Sequence, residues 1–297
     1  MAWKTTASEV EDAGVNAGAD LFAVARARLR QCLHARFGAS PRFSPRLAVA
    51  FSGGVDSAAL LHLAIDELGG DNVLALHARS ILSPPGHGQK ICDRMLADFS
   101  NRCQVQQVDF YPLVIAGFAE NPPERCYLCK RSMYGEFLRL ARDYGVSILA
   151  DGTNADDDVT SRPGWRAIQE LAVITPLRAA GIGKAAIRAY ARQHGLLNHD
   201  LPSQSCLATR FAPGLPIDEA ALRLVARLEA RLGEGLLADF RLRLTTDGWG
   251  LEVRGAAGER PDLVDDAAIR RCFDECGVEL TRLKCPNQEK WPDSKKN

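Results

Sequence analysis

Short apolar runs alternate with helical patterns along much of this 297-residue chain, and this alternation limits the folds open to it. Apolar runs at residues 47–51, 73–77, 105–110 and 146–150 are each followed, directly or after a loop, by a segment whose apolar residues recur at helical spacing. The helix after the third run is predicted at 133–144, and a further strand near 171–174 and a helix at 184–194 complete the series. Strand–helix repeats of this kind fold as a parallel sheet with helices on both faces. We therefore predict an α/β domain that binds its ligands at the carboxyl ends of its strands.

The pattern changes after Arg210, where a smaller domain is predicted. Helical patterns at 218–231 and 266–275 enclose a predicted hairpin at 240–253, which is typical of an α+β unit. The predicted division is a flexible tail at 1–18, the sheet domain at 19–205, a C-terminal α+β domain for substrate binding or oligomerisation at 206–285, and a tail at 286–297.

Residues 52–57, Ser-Gly-Gly-Val-Asp-Ser, follow the first apolar run and open a helical pattern. The two glycines let the backbone approach a ligand, and the N–H groups at a helix start attract an anion. The loop lacks the Gly-Lys-Ser/Thr ending of a Walker loop. It is similar to the PP-loop of ATP pyrophosphatases, and the alternative is a turn with a serine cap. The candidate nucleotide-binding residues are Ser52, Gly53, Gly54, Val55, Asp56 and Ser57.

Asp56 would place a carboxylate at this anion site. That charge is unfavourable there unless it holds a cation, so we predict that Asp56 binds Mg²⁺, with Asp156 or Asp157 as additional ligands. The alternative is an ordinary acidic residue in the first turn of a helix. Asn154, just after the fourth apolar run, is a candidate for binding ribose or substrate, or else a turn residue.

Three cysteines form a candidate metal or redox site. Cys126 and Cys129 make a Cys-x-x-Cys pair, Cys206 lies at the end of the predicted sheet domain, and we expect all three in loops. Nine cysteines without an export signal indicate reduced thiols in the cytoplasm. Three thiolates suit a 4Fe–4S cluster with one open iron. A redox or persulfide pair stays open, as does a zinc site with His194 or His199 as fourth ligand.

The charges beside these thiols also bear on their chemistry. Arg125, Lys130 and Arg210 are neighbours of the three cysteines in the sequence. Because positive charge stabilises a thiolate, we expect them to favour the thiolate or a bound sulfide. The alternative is generic surface charge.

Five motifs in a fixed order resemble those of one family. They are residues 52–57, 121–130, 151–157, 162–164 and 205–210. On these motifs the chain resembles the LarE family of ATP-dependent sulfur transferases, over about residues 46–255. The resemblance implies a PP-loop, adenine nucleotide alpha hydrolase-like fold for the sheet domain, with ATP as a substrate.

The resemblance also implies a reaction. Members adenylate the carboxylates of pyridinium-3,5-biscarboxylic acid mononucleotide and insert sulfur to give thiocarboxylates, in the biosynthesis of a nickel-pincer cofactor. It implies Mg²⁺, a sulfur donor, a small anionic mononucleotide as substrate, and a homo-oligomer.

Two branches of the family differ in the source of sulfur. In one, the cysteine matching Cys206 gives up its own sulfur. In the other, cysteines matching Cys126, Cys129 and Cys206 hold an iron–sulfur cluster. This chain has all three and resembles the cluster branch, with these cysteines and Asp56 as the implied catalytic residues.

The resemblance extends to the predicted hairpin. Arg241 and Arg243 are similar to an Arg-x-Arg strand that helps to bind the substrate phosphate in the family. Glu252 is similar to a glutamate implicated in metal binding. The alternative is that all three are solvated charges on a strand face.

The overall charge bears on two rival functions. A tRNA-thiolating enzyme would share the loop and the three cysteines but would need a broad basic surface, whereas this chain has 37 basic and 37 acidic residues. We therefore expect no nucleic-acid partner, and no apolar stretch predicts a membrane span. An amide-forming PP-loop ligase has no use for three cysteines, and a regulatory protein without activity has no need of an intact loop.

Overall fold

The computed structural model describes residues 21–37, 46–234, 237, 240–253 and 265–284, so the predicted tails at 1–18 and 286–297 lie outside the described residues. The helices are α1 (Leu21–Phe37), α2 (Val55–Leu68), α3 (His87–Ser100), α4 (Arg125–Asp143), α5 (Gly164–Glu170), α6 (Pro176–Ala179), α7 (Lys184–Gln193), α8 (Glu219–Gly233) and α9 (Asp266–Asp274). The strands are β1 (Leu47–Ala50), β2 (Val73–Arg79), β3 (Gln104–Asp109), β4 (Leu149–Ala150), β5 (Phe240–Thr245), β6 (Gly248–Val253) and β7 (Leu280–Lys284).

The first four strands form a parallel sheet in the order β3-β2-β1-β4. Every residue of β1 is buried, and successive side chains point to opposite faces. Leu47 and Val49 pack in a core with α1, α2, α3 and α7, whereas Ala48 and Ala50 pack in a second core with α4 and α5. Helices therefore cover both faces, and the predicted α/β fold is confirmed.

Several boundaries differ from the prediction. α4 begins at Arg125 rather than near residue 133. β4 has two residues instead of five, and the strand predicted at 171–174 is reduced to a single bridge between Ala150 and Ile174. The N–H of Val146 bonds the carbonyl of Ala141 at 2.9 Å, so the start of the predicted fourth strand belongs to the helix end instead.

A separate three-stranded sheet follows Arg210. β5 and β6 form the predicted antiparallel hairpin, and β7, which the sequence analysis missed, pairs parallel to β6. α8 and α9 pack with this sheet in a third core, to which the loop after β2 and the segment at 207–211 also contribute. Asp218 and Asp265 cap these two helices, each accepting a hydrogen bond from a backbone N–H of the first turn. The boundary at 205/206 stays a prediction.

The two sheets are joined by backbone contacts around residues 206–217. The N–H of Leu207 bonds the carbonyl of Leu82, and the N–H of Ala212 bonds the carbonyl of Leu244, at 2.8 and 2.9 Å. The segment that carries Cys206 is thus held between the loop after β2 and the hairpin. Among the helices of the described residues, none has the length and apolar character that a membrane crossing requires.

Candidate active site

A cleft of about 670 Å³ lies where the strands of the parallel sheet end. Three groups of predicted residues line it: the loop at residues 52–57, the segment at 151–154, and the cysteines Cys129 and Cys206. The loop follows β1 and the segment follows β4, its neighbour in the sheet. The sheet order therefore brings together residues that are far apart in the sequence.

The loop at 52–57 has a backbone shape that needs glycine. Gly53 has φ of 82°, and a Cβ at this position would lie 2.6 Å from the Sγ of Cys92. The N–H of Ser52 donates to the Oγ of Ser57 at 3.1 Å, and that hydroxyl donates to the carbonyl of Gly54 at 2.9 Å. Ser57 is buried and shapes the loop from within, so a direct contact of its hydroxyl with a ligand would require breaking these bonds.

Asp56 is paired with a lysine from a distant helix. The Nζ of Lys184, the first residue of α7, lies 2.8 and 2.7 Å from the two carboxylate oxygens of Asp56. Both side chains are partly exposed and both line the cleft. In this structure the predicted Mg²⁺ ligand therefore binds a cation of the protein itself.

The segment after β4 packs against the start of α2. A Cβ on Gly152 would lie 2.8 Å from the backbone nitrogen of Ser57, so only glycine allows this approach.

Buried Asp151 accepts hydrogen bonds from Lys130 Nζ at 3.2 Å, from the N–H of Thr153 at 2.7 Å, and from the hydroxyl of Tyr134. Burial alone would raise the pKa of Asp151, but the charge of Lys130 and these hydrogen bonds together lower it. A carboxylate is thus held ionised at the floor of the cleft.

Asn154 and the two following acids have structural partners. The side-chain oxygen of Asn154 accepts from the N–H of Asp156 at 2.9 Å, which is the turn arrangement left open above. Asp156 accepts from the N–H of Lys184 at 2.6 Å and so caps α7. Asp157 pairs with Arg162 at 2.8 Å. These residues all line the cleft. In this structure their hydrogen bonds and ion pairs hold the cleft wall in shape.

The expectation that all three cysteines lie in loops is wrong for two of them. Cys126 and Cys129 lie in the first turns of α4, where the first is exposed and the second is half-buried. The buried residues Tyr127, Tyr134 and Ala141 recur along α4 at helical spacing, which explains the early start of the helix. Cys206 directly precedes a short 3-10 helix, Leu207–Arg210.

Arg125 favours the thiolate at Cys129 and Cys206, as expected, and Lys130 does so at Cys129, but burial outweighs these charges at both thiols. Burial, reinforced by the neighbouring thiols Cys206 and Cys126, raises the pKa of Cys129 to about 12, although Arg125 and Lys130 lower it. Burial and then Cys126 likewise raise the pKa of Cys206. Both are therefore protonated near neutral pH until a metal displaces the proton.

Arg210 is a buried structural residue rather than a surface charge beside the thiols. Its guanidinium binds both oxygens of Glu229 at 2.6 and 3.0 Å, and both side chains are less than 10% exposed. It also donates to the carbonyls of Ser205 and Cys206 at 2.9 and 3.3 Å. Arg210 therefore fixes the backbone on which Cys206 is carried.

The three cysteines can be compared with the spacing of metal ligands. Among the described residues, three donor atoms within 4.8 Å of one another occur only at His62, Asp66 and His194, so at least one pair of the three cysteine sulfurs is more than 4.8 Å apart. Sulfurs around a tetrahedral zinc would be about 3.8 Å apart. A cluster attaches each cysteine to a different iron, so it tolerates the wider spacing better than a single zinc. Nor does His194 offer a fourth ligand here, because it follows α7 at the end away from Lys184.

Arg241, Arg243 and Glu252 lie on the hairpin of the second sheet. Arg241 and Glu252 are directly opposite each other across β5 and β6. Arg243 donates to the carbonyl of Thr209 at 2.9 Å and thus reaches the segment that carries Cys206. These three residues are not among those that line the cleft at the loop of residues 52–57.

Two residues of the cleft, Lys184 and Asn198, are not predicted from the sequence. Buried Asn198 donates to the carbonyl of Gly53 at 2.8 Å and thereby supports the loop. Lys184 lies at the start of a predicted helix, but nothing in the sequence relates it to Asp56, 128 residues earlier.

Comparisons with known proteins bear on the family. No protein-family model matches the chain. An uncharacterized protein of Synechocystis sp. is 32% identical over 187 residues, which cover 63% of this chain and 68% of that relative. The pyridinium-3,5-bisthiocarboxylic acid mononucleotide synthase of Lactiplantibacillus plantarum is 29% identical over 202 residues, which cover 68% of this chain and 72% of that relative. An uncharacterized protein of Methanocaldococcus jannaschii is 28% identical over 199 residues, 67% of this chain and 73% of the relative. On these likenesses, together with its fold and its five motifs, the chain belongs to the LarE family, the family of the Lactiplantibacillus synthase.

Proposed function

We propose that the chain is an ATP-dependent sulfur transferase that adenylates a carboxylate of a small anionic mononucleotide and replaces its oxygen with sulfur. The observation that carries this proposal is the lining of one cleft by the loop at 52–57 and by Cys129 and Cys206. The Lactiplantibacillus relative is a pyridinium-3,5-bisthiocarboxylic acid mononucleotide synthase, which supports a pyridinium biscarboxylic acid mononucleotide as the substrate.

The loop at 52–57 would hold the pyrophosphate part of ATP. Its glycine backbone and the start of α2 provide an anion site, and Lys184 supplies a positive charge at the same place. When ATP enters, we expect the ammonium of Lys184 to move from Asp56 to the phosphates. Asp56 is then released to hold Mg²⁺, for which a carboxylate is a suitable ligand.

The proposed reaction has two steps. An oxygen of the substrate carboxylate attacks the α-phosphorus of ATP. This step forms an oxygen–phosphorus bond and breaks the bond between the α-phosphorus and the departing pyrophosphate. A hydrosulfide from a sulfur donor then attacks the carboxyl carbon, which forms a carbon–sulfur bond and breaks the carbon–oxygen bond to AMP. The hydrosulfide loses its proton, and no oxidation or reduction is needed.

The donor set of the cleft fits an iron–sulfur cluster. Three thiols from two segments influence one another, with Cys129 and Cys206 on the cleft wall and Cys126 exposed beside them. A cluster on these cysteines would carry the sulfur to be transferred. Arg210 keeps Cys206 in position, and α4 fixes the other two thiols one helical turn apart.

The hairpin is the proposed site for the substrate phosphate. Arg241 and Arg243 alternate with the buried Leu242, so they share the face of β5 opposite the core. The contact of Arg243 with Thr209 brings this face next to the Cys206 segment. Glu252, across from Arg241, is the proposed additional metal ligand.

Anaerobically purified protein tests the proposal with ATP, Mg²⁺, sulfide and the biscarboxylic acid mononucleotide. We expect wild-type protein to release pyrophosphate and form a thiocarboxylate, measured by coupled assay and mass spectrometry. Cys206→Ser is expected to release pyrophosphate without forming thiocarboxylate, whereas Asp56→Asn loses both. Substrate-independent pyrophosphate release, or none at all, would contradict the proposal.

Iron and sulfide analysis of the same preparations tests the cluster. Iron and acid-labile sulfide are expected in equal amounts in wild-type protein and are lost in Cys126→Ser. Cys272→Ser, a change of a half-buried cysteine on α9, is the matched control and is expected to keep both. Iron-free anaerobic wild-type protein would exclude the cluster but not adenylation.

A further inference from the structure

A second cluster of metal-binding side chains lies behind the sheet, between α2 and α7. His62 and Asp66 are one helical turn apart on α2, and His194 follows the last residue of α7. One donor atom from each lies within 4.8 Å of the other two. His62 is buried, while Asp66 and His194 are exposed. The cluster is therefore open to solvent on one side.

The neighbours of the cluster orient its donors. The Nδ1 of His62 lies 2.9 Å from the hydroxyl of Tyr190 and 3.2 Å from Oδ2 of Asp66. Arg102 binds the other carboxylate oxygen, Oδ1, at 3.0 Å. The rings of Tyr190 and His194 are in contact, with centroids 4.2 Å apart. Partners of this kind around the ligands are a regular feature of metal sites.

The spacing and exposure of the three side chains suit a metal ion. Ligands around a tetrahedral zinc are about 3.4 Å apart. The Nδ1 of His62 and Oδ2 of Asp66 are already 3.2 Å apart. His62 is buried, and the exposed side chains of Asp66 and His194 can adjust their positions around an ion.

We propose that His62, Asp66 and His194 bind a borderline divalent metal ion such as Zn²⁺, with water completing the coordination. Two imidazoles and one carboxylate form a donor set typical of Zn²⁺. The nearby charges of Arg102 and Arg26 act on His62 and oppose a cation, so the site is weaker than a structural zinc finger. This site is independent of the sulfur-transfer reaction and of the three cysteines of the cleft.

The ion would connect the two helices that supply the charged pair of the cleft. α2 carries Asp56 in its first turn, and α7 begins with Lys184. A metal bridge at the far end of α7 would fix the packing of these helices against each other. Zinc is therefore expected to raise the melting temperature, since it binds only the folded protein.

Zinc binding is best measured on full-length, untagged protein in which Cys126, Cys129 and Cys206 are replaced by serine, because those thiols would also take up zinc. After dialysis against EDTA, we expect this protein to bind one zinc per chain, measured by competition with a chromophoric chelator. His194→Ala and Asp66→Asn are each expected to weaken that binding by about tenfold or more. Both side chains are exposed, so neither change should prevent folding.

His199→Ala is the matched control, because His199 is a histidine of the same region that lies outside the cluster. It is expected to leave zinc binding unchanged. Cobalt replacing zinc should absorb in the visible region without a sulfur-to-metal band. The proposal is overturned if the protein with the three serine replacements binds no stoichiometric zinc, or if its His194→Ala and Asp66→Asn variants bind zinc as tightly as their parent.

Discussion

At the scale of single residues, the candidate site depends on the backbone shape at Gly53, on the pairing of Asp56 with Lys184 and on the burial of Cys129. Gly53 is required because of its positive φ and its contact with Cys92, as the Gly-Gly pattern indicated. The pairing of Asp56 with Lys184 joins residues of α2 and α7, and no local sequence pattern predicts it. The raised pKa of Cys129 depends on burial, which only the folded chain defines.

The pair of Asp56 and Lys184 yields the first prediction. Asp56→Asn is expected to lower substrate-dependent pyrophosphate release by about 100-fold, because the transition state would lose the proposed Mg²⁺ ligand. Lys184→Met is expected to have a similar effect through the lost phosphate contact, and Lys184→Arg to retain part of the rate. Arg192→Met removes an exposed cation of the same helix and should leave the rate unchanged. An equal loss in Arg192→Met would show that the effect is not specific to the pair.

The three thiols are predicted to differ in reactivity. In reduced, metal-free protein near neutral pH, iodoacetamide should modify exposed Cys126 well before Cys129 and Cys206, whose raised pKa keeps them protonated. Because a raised pKa means less thiolate below it, labelling of Cys129 should increase about tenfold per pH unit as the pH rises toward 12. Mass spectrometry of digests measures each site. Labelling of all three at equal rates at neutral pH would contradict this prediction.

At the scale of elements, the sequence predicts which segments form helices or strands and in what order. The residues at which these elements begin and end are set by packing in the folded protein. The parallel strands and the hairpin are as predicted. β7 was missed because its pairing with β6 is formed only after an intervening helix, so no turn signal marks it. β4 is short because the segment before it bonds back to the end of α4. The close contact between Gly152 and the start of α2 likewise belongs to two elements that meet only in the folded protein.

That contact yields a prediction about Gly152→Ala. The added Cβ would lie 2.8 Å from the nitrogen of Ser57, which is backbone and must shift. We expect a destabilisation of about 1–3 kcal/mol and a marked loss of ATP binding. Gly135→Ala, in the middle of α4, is the control, because its new Cβ would meet no atom within 4 Å beyond the neighbouring backbone of its own helix. It should stabilise the protein by roughly 0.5–1 kcal/mol without affecting ATP binding. Thermal unfolding of both variants measures these changes, and a Gly152→Ala variant as stable as Gly135→Ala would contradict the prediction.

At the scale of the whole molecule, the cleft depends on how the two sheets meet. The motif at 205–210 could be located from the sequence, but not the burial of Arg210 against Glu229 on α8. This ion pair and the backbone bonds of Leu207 and Ala212 set the Cys206 segment between the two units. The position of Cys206 relative to the loop at 52–57 is therefore a property of the complete chain.

Breaking this ion pair is predicted to be costly. Arg210→Met leaves the carboxylate of Glu229 buried without a partner, and we expect a loss of about 3–5 kcal/mol in the free energy of unfolding. The double change Arg210→Met with Glu229→Leu removes both charges and should recover most of it. Urea denaturation of wild-type, single and double variants measures these values. A single variant as stable as wild-type would show that the pair is not buried as described.

The most direct test of the account is to follow oxygen from the substrate. Biscarboxylic acid mononucleotide labelled with oxygen-18 in its carboxylates is incubated with the protein, ATP, Mg²⁺ and sulfide, and the AMP is analysed by mass spectrometry. Attack of a carboxylate on the α-phosphorus, followed by displacement by sulfur, predicts one labelled oxygen in each AMP and none in pyrophosphate. Unlabelled AMP accompanying a thiolated product would contradict adenylation at the loop of residues 52–57.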